Sequence, residues 1–528
     1  MSHTRRNKLS DLSFISRLPE RWVVSCLLLV AALARFTTIT KASIWHDEGF
    51  TVMLSSRTPA EIWAGSARDV HPPLYYELLH YWMRLFGTST LAVRSMSAVA
   101  GIATIYIGYL LVKRYFGRAA ATISLSILAV APMLVRYSQE ARMYGLLGLF
   151  LLGGTFALLR ATEHAHTNWR WWSVYALAMA AGLYTHYFTV FAIAAHWLYL
   201  MSLERPWKWR IGKSHWLRTD WWLTNLTVIV LWLPWLPAFY GQFSRGQGIS
   251  WIPATTLYTL PKSIWQNLTF TDAMALPPFV FWAVPGIVIG LVMWISWLHK
   301  HEHKEIRALF WYTVLPIGAT IAVSIMKPIY QDRYLVFAAN GMYILLGIAL
   351  TRLIRQHQAT GAATLIGVLI VCGIGVGNVA RQATHSMKVV GEYVGKQRQT
   401  GDAVMSAELY TYFDFSYYCE TCADLHNSFK PEQSNDANIR IAPRPTLLLN
   451  TSSTSYGKPN GYGESSLLYD RADNIYVDDL STVKPTNGRL WMIGKPGEQK
   501  YWKTLPANWQ QLDQVKTNSS EARLYRVQ

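Results

Sequence analysis

Over most of its length the chain alternates between long apolar runs and short polar breaks. The runs fall near residues 22–40, 91–112, 119–135, 143–160, 171–185, 187–203, 220–239, 277–298, 308–326, 334–351 and 361–378. A helix of about 20 mostly apolar residues crosses the hydrocarbon of a bilayer. The pattern therefore predicts an α-helical polytopic membrane protein of about 11 spans. After residue 379 the runs give way to polar sequence rich in Gly, Asn, Ser and Asp. Short β-like runs punctuate it at 402–407, 445–450, 489–495 and 522–527, with a helix-like SMKVVGEYVGKQRQ at 386–399. Alternating strand and helix predicts a small α/β domain. The expected division is thus 1–378 in the membrane and 379–528 as an extracytoplasmic domain. No nucleotide-binding Gly fingerprint accompanies the strands, and no internal repeat is visible.

Composition excludes a soluble protein. Of 528 residues, 51% are hydrophobic and only 15% charged, against about 25% charged in an average soluble domain. The 24 Trp and 29 Tyr are residue types that favour the membrane–water boundary, and Trp169, Trp171 and Trp172 read as interface anchors. A net charge of +18 does not point to nucleic acid, because the cations occupy alternate short loops. With a cytoplasmic N-terminus, every inside segment is basic: Arg5, Arg6, Lys8, Arg17 and Arg21; Lys113, Arg114 and Arg118; 160–170; Arg205, Lys208, Arg210, Lys213 and Arg218; 299–307; and 352–357. That satisfies the positive-inside rule and places both the stretch SIWHDEGFTV (43–52) and the polar region after 379 outside. The first run follows a basic tail with no small-residue cleavage site, so it reads as a retained span. Cys26 and Cys372 lie in apolar runs and read as inert. Cys419 and Cys422 form a CxxC, too few ligands for a structural zinc site and the expected pair for a disulfide in an oxidising compartment. Asn-x-Ser/Thr triplets at Asn225, Asn267, Asn450 and Asn518 are common by chance and decide nothing.

The outer ends of the spans collect the candidate chemistry. The first outer loop carries His46, Asp47 and Glu48, then HPPLYYELLHYW from His71, where two prolines fix an extended turn and start a helix. The next carries RYSQEARMYG (136–145). YTHYF (184–188) and KPIYQDRYL (327–335) follow. Acids at the edge of the hydrocarbon are costly and tend to be functional. Each residue also has a structural alternative. Asp47 suits an N-cap for a helix over 48–57, and Glu48 a first-turn dipole partner. Glu140 and Arg142 suit a surface ion pair, His186 a satisfied interfacial histidine, and Arg333 a partner for Asp332. Arg136, Arg142, Lys327 and Arg333 stand out because outer-face cations do nothing for topology but suit an anionic head group.

Acids, His and Arg beside a bilayer fit glycosyl transfer from a lipid-linked phosphosugar. The acceptor hydroxyl loses its proton to a carboxylate as it attacks the anomeric carbon. Phosphate leaves as an anion and needs no general acid, while Arg stabilises its growing charge. One carboxylate and a few cations suffice, and in-line attack inverts the anomeric centre. A hydrolytic glycosidase would need two carboxylates flanking the bond.

SIWHDEGFTV, HPPLYYELLHYWMRLFG, YSQEARMYGLL, GLYTHYFTVF and DRYLVF, in this order and each at an outer end, resemble bacterial GT-C glycosyltransferases, most closely the family 39 group related to protein O-mannosyltransferases and the lipid A aminoarabinose transferase. The resemblance covers roughly the first 350 residues. It implies a polyprenyl-phosphate sugar donor, an outer-leaflet reaction in a bacterial plasma membrane, and a glycan, lipid or protein acceptor. It also implies membrane-surface helices in the first and second outer loops. Asp47 is the implied catalytic base, with Glu48 beside it and Glu140 as the acid of the second loop. His46, His71, Tyr75, Arg136, Arg142, Tyr144, His186, Tyr187, Lys327, Arg333 and Tyr334 are the implied substrate contacts, Arg333 a candidate for the donor phosphate. Some such enzymes bind a divalent cation through their acids and others do not; this chain has no plain Asp-x-Asp, which leaves a metal open. No β-trefoil segment of the eukaryotic O-mannosyltransferase kind is visible. The rival class is a lipid or solute transporter or flippase, which would show repeated halves and midplane charges.

Overall fold

The computed structural model describes residues 19–163, 168–204, 214–245, 251–298, 304–382, 386–419, 422, 447–449, 476–477, 479–497, 502 and 505–527. Arg5, Arg6, Lys8, Arg17, Arg205, Lys208, Arg210, Lys213 and Asn450 lie outside the described residues. The chain forms two compact units. One is drawn from Met1–Thr37, Ser97–Leu236 and Ile249–Arg381, the other from Thr38–Met96, Pro237–Gly248 and Gln382–Gln528.

The helices, in chain order, are α1 (Glu20–Phe36), α2 (His46–Ser55), α3 (Pro59–Arg68), α4 (Leu74–Phe86), α5 (Thr90–Val130), α6 (Pro132–Ser138), α7 (Tyr144–Ala161), α8 (Trp169–Thr185), α9 (Thr189–Ser202), α10 (Thr219–Trp232), α11 (Leu236–Arg245), α12 (Thr259–Thr269), α13 (Pro278–Leu298), α14 (Lys304–Met326), α15 (Val336–Gln356), α16 (Gln358–Arg381), α17 (Ser386–Gln397) and α18 (Leu409–Tyr418). All eleven apolar runs fall on helices. Among the described residues, seven helical stretches are long and apolar enough to cross a membrane. The chain is a multi-span membrane protein. α1 and α8 are shorter, at 17 residues, and α9 has 14.

The runs at 91–112 and 119–135 are two helical segments of α5 that meet at a kink at Gly117, whose φ of 86° is a left-handed conformation that glycine adopts without steric cost. One boundary differs from expectation: the second run is cut at Pro132. Proline lacks an N–H and disfavours helical geometry in the residue before it. Ala131 is accordingly extended, and Pro132 opens α6. Within the first unit α15 is central: 94% of its most apolar window is buried, against 17% for the stretch Thr219–Arg245. On α10, Leu226, Ile229 and Val230 are more than half exposed, as a lipid-facing helix requires.

The second unit contains the small α/β fold. Its strands are β1 (Ala403–Ser406), β2 (Leu447–Leu449), β3 (Tyr476–Val477), β4 (Arg489–Gly494), β5 (Gln510–Lys516) and β6 (Glu521–Arg526). They form one sheet in the order β3-β2-β1-β4-β6-β5. β1 runs parallel to both β2 and β4, and β6 pairs antiparallel with β4 and β5. Apolar side chains cover both faces. α17 and α18 lay Met387, Val390, Val394, Phe415 and Cys419 against Val404, Trp491 and Ile493 on one face. Ala403, Met405, Leu490 and Met492 pack with Leu449 and Leu480 on the other. Cys419 and Cys422 are bridged. β3 and β5 were not expected. β3 has two residues, and β5 (QQLDQVK) is a polar edge strand whose ladder partner, not its own apolarity, makes it a strand.

Candidate active site

The second unit holds the loop that follows α1. Trp45 is the N-cap of α2, so the helix begins at His46, two residues earlier than expected, and Asp47 lies inside the first turn. The Trp45 backbone N–H donates to Glu48 Oε2 at 3.4 Å. Glu48 is fully buried, and Arg94 takes both of its oxygens: Nε donates to Oε1 at 2.7 Å and Nη2 to Oε2 at 2.6 Å. The same guanidinium donates to the carbonyls of Ile39, Ala42 and Ser43 at 2.7, 2.9 and 2.9 Å. A planar five-donor fork suits this work and a lysine would not. Arg94 thus locks the chain between α1 and α2 to the acid that follows Asp47. Glu48 is committed to this lock, whereas Asp47 is only partly buried. The lock was missed in the sequence, although a signal existed: Arg94 is a cation inside an apolar run, and such residues mark function or pairing.

The remaining first-loop candidates are spread along the same unit. His71 is partly buried ahead of Pro72 and Pro73. Tyr75 is fully buried on α4. Its neighbour Tyr76 meets the Phe50 ring at 6.2 Å, and His80 Nδ1 lies 2.9 Å from the Ser55 carbonyl. α4 and α2 are thereby held together through their buried faces. The outer face of α4 presents Tyr81, Leu85 and Phe86, all more than half exposed.

The first unit gathers the second group. Glu140 is buried and pairs with Arg136 at 2.6 Å, four residues earlier. Gln139 donates to the carbonyls of Ala34 and Arg35 at 3.2 and 2.8 Å, and Ser97 donates to the Arg142 carbonyl at 3.0 Å. These bonds fix the loop backbone. Tyr144 meets Tyr137 at 5.3 Å and Tyr334 at 6.3 Å. The His186 ring lies 5.0 Å from Tyr334, and its Nδ1 accepts the Phe188 N–H at 3.1 Å. Burial, with Arg142 and Arg333 beside it, pushes the His186 imidazole down to about 3. It is therefore a neutral acceptor, not a third cation. The Arg333 guanidinium lies over the rings of Trp251 at 5.0 Å and Tyr334 at 5.6 Å, cation–π contacts that orient it. Arg136, Glu140, Arg142, Tyr144, His186, Arg333 and Tyr334 thus form one neighbourhood beside a cleft lined by Thr104, Tyr137, Ser138, Tyr144 and Asn340. Two candidates stand apart. The Tyr187 hydroxyl accepts from Trp235 Nε1 at 2.9 Å, and Lys327 is exposed at the end of α14. Trp251 was not anticipated, and nothing in the local pattern marks it.

Among the described residues, no group of three or more His, Cys, Asp or Glu side chains could hold a metal ion. Glu48 and Glu140 are each engaged by an arginine.

Residues 70–236 match the family model of the dolichyl-phosphate-mannose-protein mannosyltransferases. Two putative mannosyltransferases of Bacillus subtilis (strain 168), YkcB and YycA, are each 31% identical over 98 residues. That is 19% of this chain and 14% of each relative. Among solved structures, ArnT from Cupriavidus metallidurans matches in its apo state and bound to undecaprenyl phosphate, with a TM-score of 0.66 in both cases. Identity is 14% and 13%, over 96% of this chain and 98% of ArnT. The Archaeoglobus fulgidus oligosaccharyltransferase in complex with Zn and sulfate matches at TM-score 0.52 and 11% identity, over 89% of this chain and 67% of the other. The fold is that of ArnT, in line with the resemblance that the five motifs suggested.

Proposed function

We propose that this chain, a membrane protein of GT-C fold, transfers a sugar from a polyprenyl-phosphate donor to an acceptor hydroxyl at the outer face of a bacterial plasma membrane. Asp47 is the general base, and in-line attack inverts the anomeric carbon. The observation that carries this reading is the division of labour in the first loop. Glu48 is spent on Arg94, and Asp47 is held on a fixed first turn with its side chain only partly buried. A base must reach the acceptor hydroxyl, and a carboxylate on an immobilised turn loses little entropy in doing so. Arg142 and Arg333 serve the departing phosphate, with Tyr334 and Trp251 orienting Arg333. Glu140 is the acid that holds Arg136 in this neighbourhood. The orientation that fits is the one the loop charges favour, with the N-terminus cytoplasmic and residues 379–528 outside. Support from relatives comes from ArnT, whose structure was solved with undecaprenyl phosphate bound.

The test is a panel of radiolabelled undecaprenyl-phosphate sugars, offered to the purified protein in nanodiscs with a membrane extract as acceptor. Label leaving one donor for an extract component supports the reading and names the sugar. Donor crossing a vesicle bilayer with no sugar transferred would replace it with transport.

A further inference from the structure

Within the second unit, the C-terminal region seats a helix directly on the loop that follows α1. Tyr410, Phe413 and Tyr417 of α18 fall at i, i+3 and i+7, which is one helical face. The opposite face, with Phe415 and Cys419, is part of the sheet core. The first face meets α2 and its flanks. The His46 ring lies 4.9 Å from Tyr410 and 5.4 Å from Phe413, and Phe50 meets Phe413 edge-on at 5.5 Å. A Cβ on Gly49 would stand 2.7 Å from the Phe413 carbonyl carbon and 2.9 Å from the Asp414 nitrogen. The two helix backbones are therefore in contact, and glycine is required there. Just ahead of α5, the Thr88 carbonyl accepts the Tyr417 hydroxyl at 2.7 Å.

Tyr418 lies between the two faces and serves both. Its ring packs against the sheet core. Its stem is held by α17, where a Cβ on Gly391 would stand 2.6 Å from the Tyr418 Cβ. At the far end of that rigid ring, the hydroxyl accepts the N–H of the fully buried Ile44 at 2.7 Å. Ile44 lies outside any helix or strand, so its amide must find its acceptor elsewhere. The bond completes a series. Arg94 Nη2 donates to the Ser43 carbonyl at 2.9 Å, and the Trp45 N–H donates to Glu48 Oε2 at 3.4 Å. The Ser43 carbonyl and the Ile44 N–H are the two polar groups of a single peptide unit. That unit is gripped from α5 on one side and from α18 on the other. The N–H that follows it is gripped from α2 itself.

We propose that Tyr418 is a positioning residue for the transfer: its hydroxyl, supplied by the C-terminal region, sets how the chain enters α2 and so where Asp47 stands. This rests on the reading of Asp47 as the base. Tyr418 touches no reacting atom and acts only through the Ser43–Ile44 peptide. Without the hydroxyl, Arg94 still holds the carbonyl side, so the loop keeps its place while the peptide is free to tilt. A displaced base costs turnover, because proton abstraction depends on reach. Donor binding is spared, because the cations assigned to the phosphate lie on other elements.

The experiment has two arms. In the first, residue-resolved hydrogen–deuterium exchange is followed on the full chain in nanodiscs. In wild type the Ile44 amide should exchange at least about 100-fold more slowly than a free amide. Free exchange there overturns the proposal before any variant is made. Tyr418→Phe removes the acceptor and keeps the ring, and should speed exchange at Ile44 at least about ten-fold while the amides of β4 stay within about two-fold of wild type. Tyr417→Phe, which takes a hydroxyl from the same helix but not from this peptide, should leave Ile44 within about two-fold. No acceleration in Tyr418→Phe, or equal acceleration in both variants, overturns the proposal whether or not the protein transfers sugar, so this arm stands apart from the proposed function. In the second arm, kcat and donor KM are compared in wild type and Tyr418→Phe. The variant should lose about ten-fold in kcat, with the donor KM within about two-fold of wild type. A fall in active fraction with kcat per folded molecule kept, or a loss carried by KM instead, would mark a purely structural residue and overturn the proposal.

Discussion

Replacing Arg94 with leucine tests the lock that fixes the loop after α1. The guanidinium makes two hydrogen bonds to a fully buried carboxylate and three to backbone carbonyls. Its removal leaves the fully buried Glu48 carboxyl without its arginine partner. Breaking a buried pair from one side costs about 3–5 kcal/mol. For a cooperative body of roughly 200 residues, each kcal/mol lowers Tm by about 2–4 °C, so Arg94→Leu should melt on the order of 10 °C below wild type. The assay is intrinsic tryptophan fluorescence of the protein in nanodiscs. A cycle separates the ion pair from lost packing: Glu48→Leu in the Arg94→Leu background removes the stranded charge. The double variant should recover at least about 2 kcal/mol of the loss. Arg94→Leu melting with wild type, or strictly additive losses, would show that Glu48 is not held by Arg94 and would reopen it as a free acid beside Asp47.

Three further outcomes are expected. Gly49→Ala forces α2 away from α18 and should cost about 1–3 kcal/mol, with transfer falling further than stability; melting curves and initial rates on the same preparation check it, and a neutral variant would mean the backbones are not in contact. Arg333→Lys keeps the charge but loses the guanidinium that lies over Trp251, so the donor KM should rise roughly ten-fold with kcat nearly kept; equal KM values would remove Arg333 from the donor site. His186 is pushed down to about 3 in the folded protein, below its unfolded value of about 6.5. The unfolded chain therefore binds more protons between those values, and stability present above pH 6.5 is lost as the pH falls through that window. His186→Gln should flatten the decline of Tm from pH 6.5 to 4 relative to wild type.

Much of this was legible in the chain because two signals were strong. Apolar runs of span length located the seven helical stretches long and apolar enough to cross a membrane among the described residues, and the clustering of His, Asp, Glu and Arg at alternate breaks drew attention to the candidate residues. One boundary failed where a single residue decided it, at Pro132. The sheet was half legible: β1 and β4 bury apolar residues and show as runs, while β5 is polar and exists by pairing with β6. The role of Glu48 was not legible, because an Asp-Glu dipeptide does not say which acid is paired; that depends on Arg94, a residue the fold brings from another helix. Nor was α18, whose two faces serve different partners and so read as a uniformly aromatic stretch.

The most direct measurement is single-turnover sugar transfer by wild type and Asp47→Asn, with donor binding measured on the same samples. The account predicts that the Asn variant binds the polyprenyl-phosphate sugar within a few-fold of wild type but transfers it at least about 100-fold more slowly. Transfer by Asp47→Asn at the wild-type rate would contradict it and move the search for the base to Glu140.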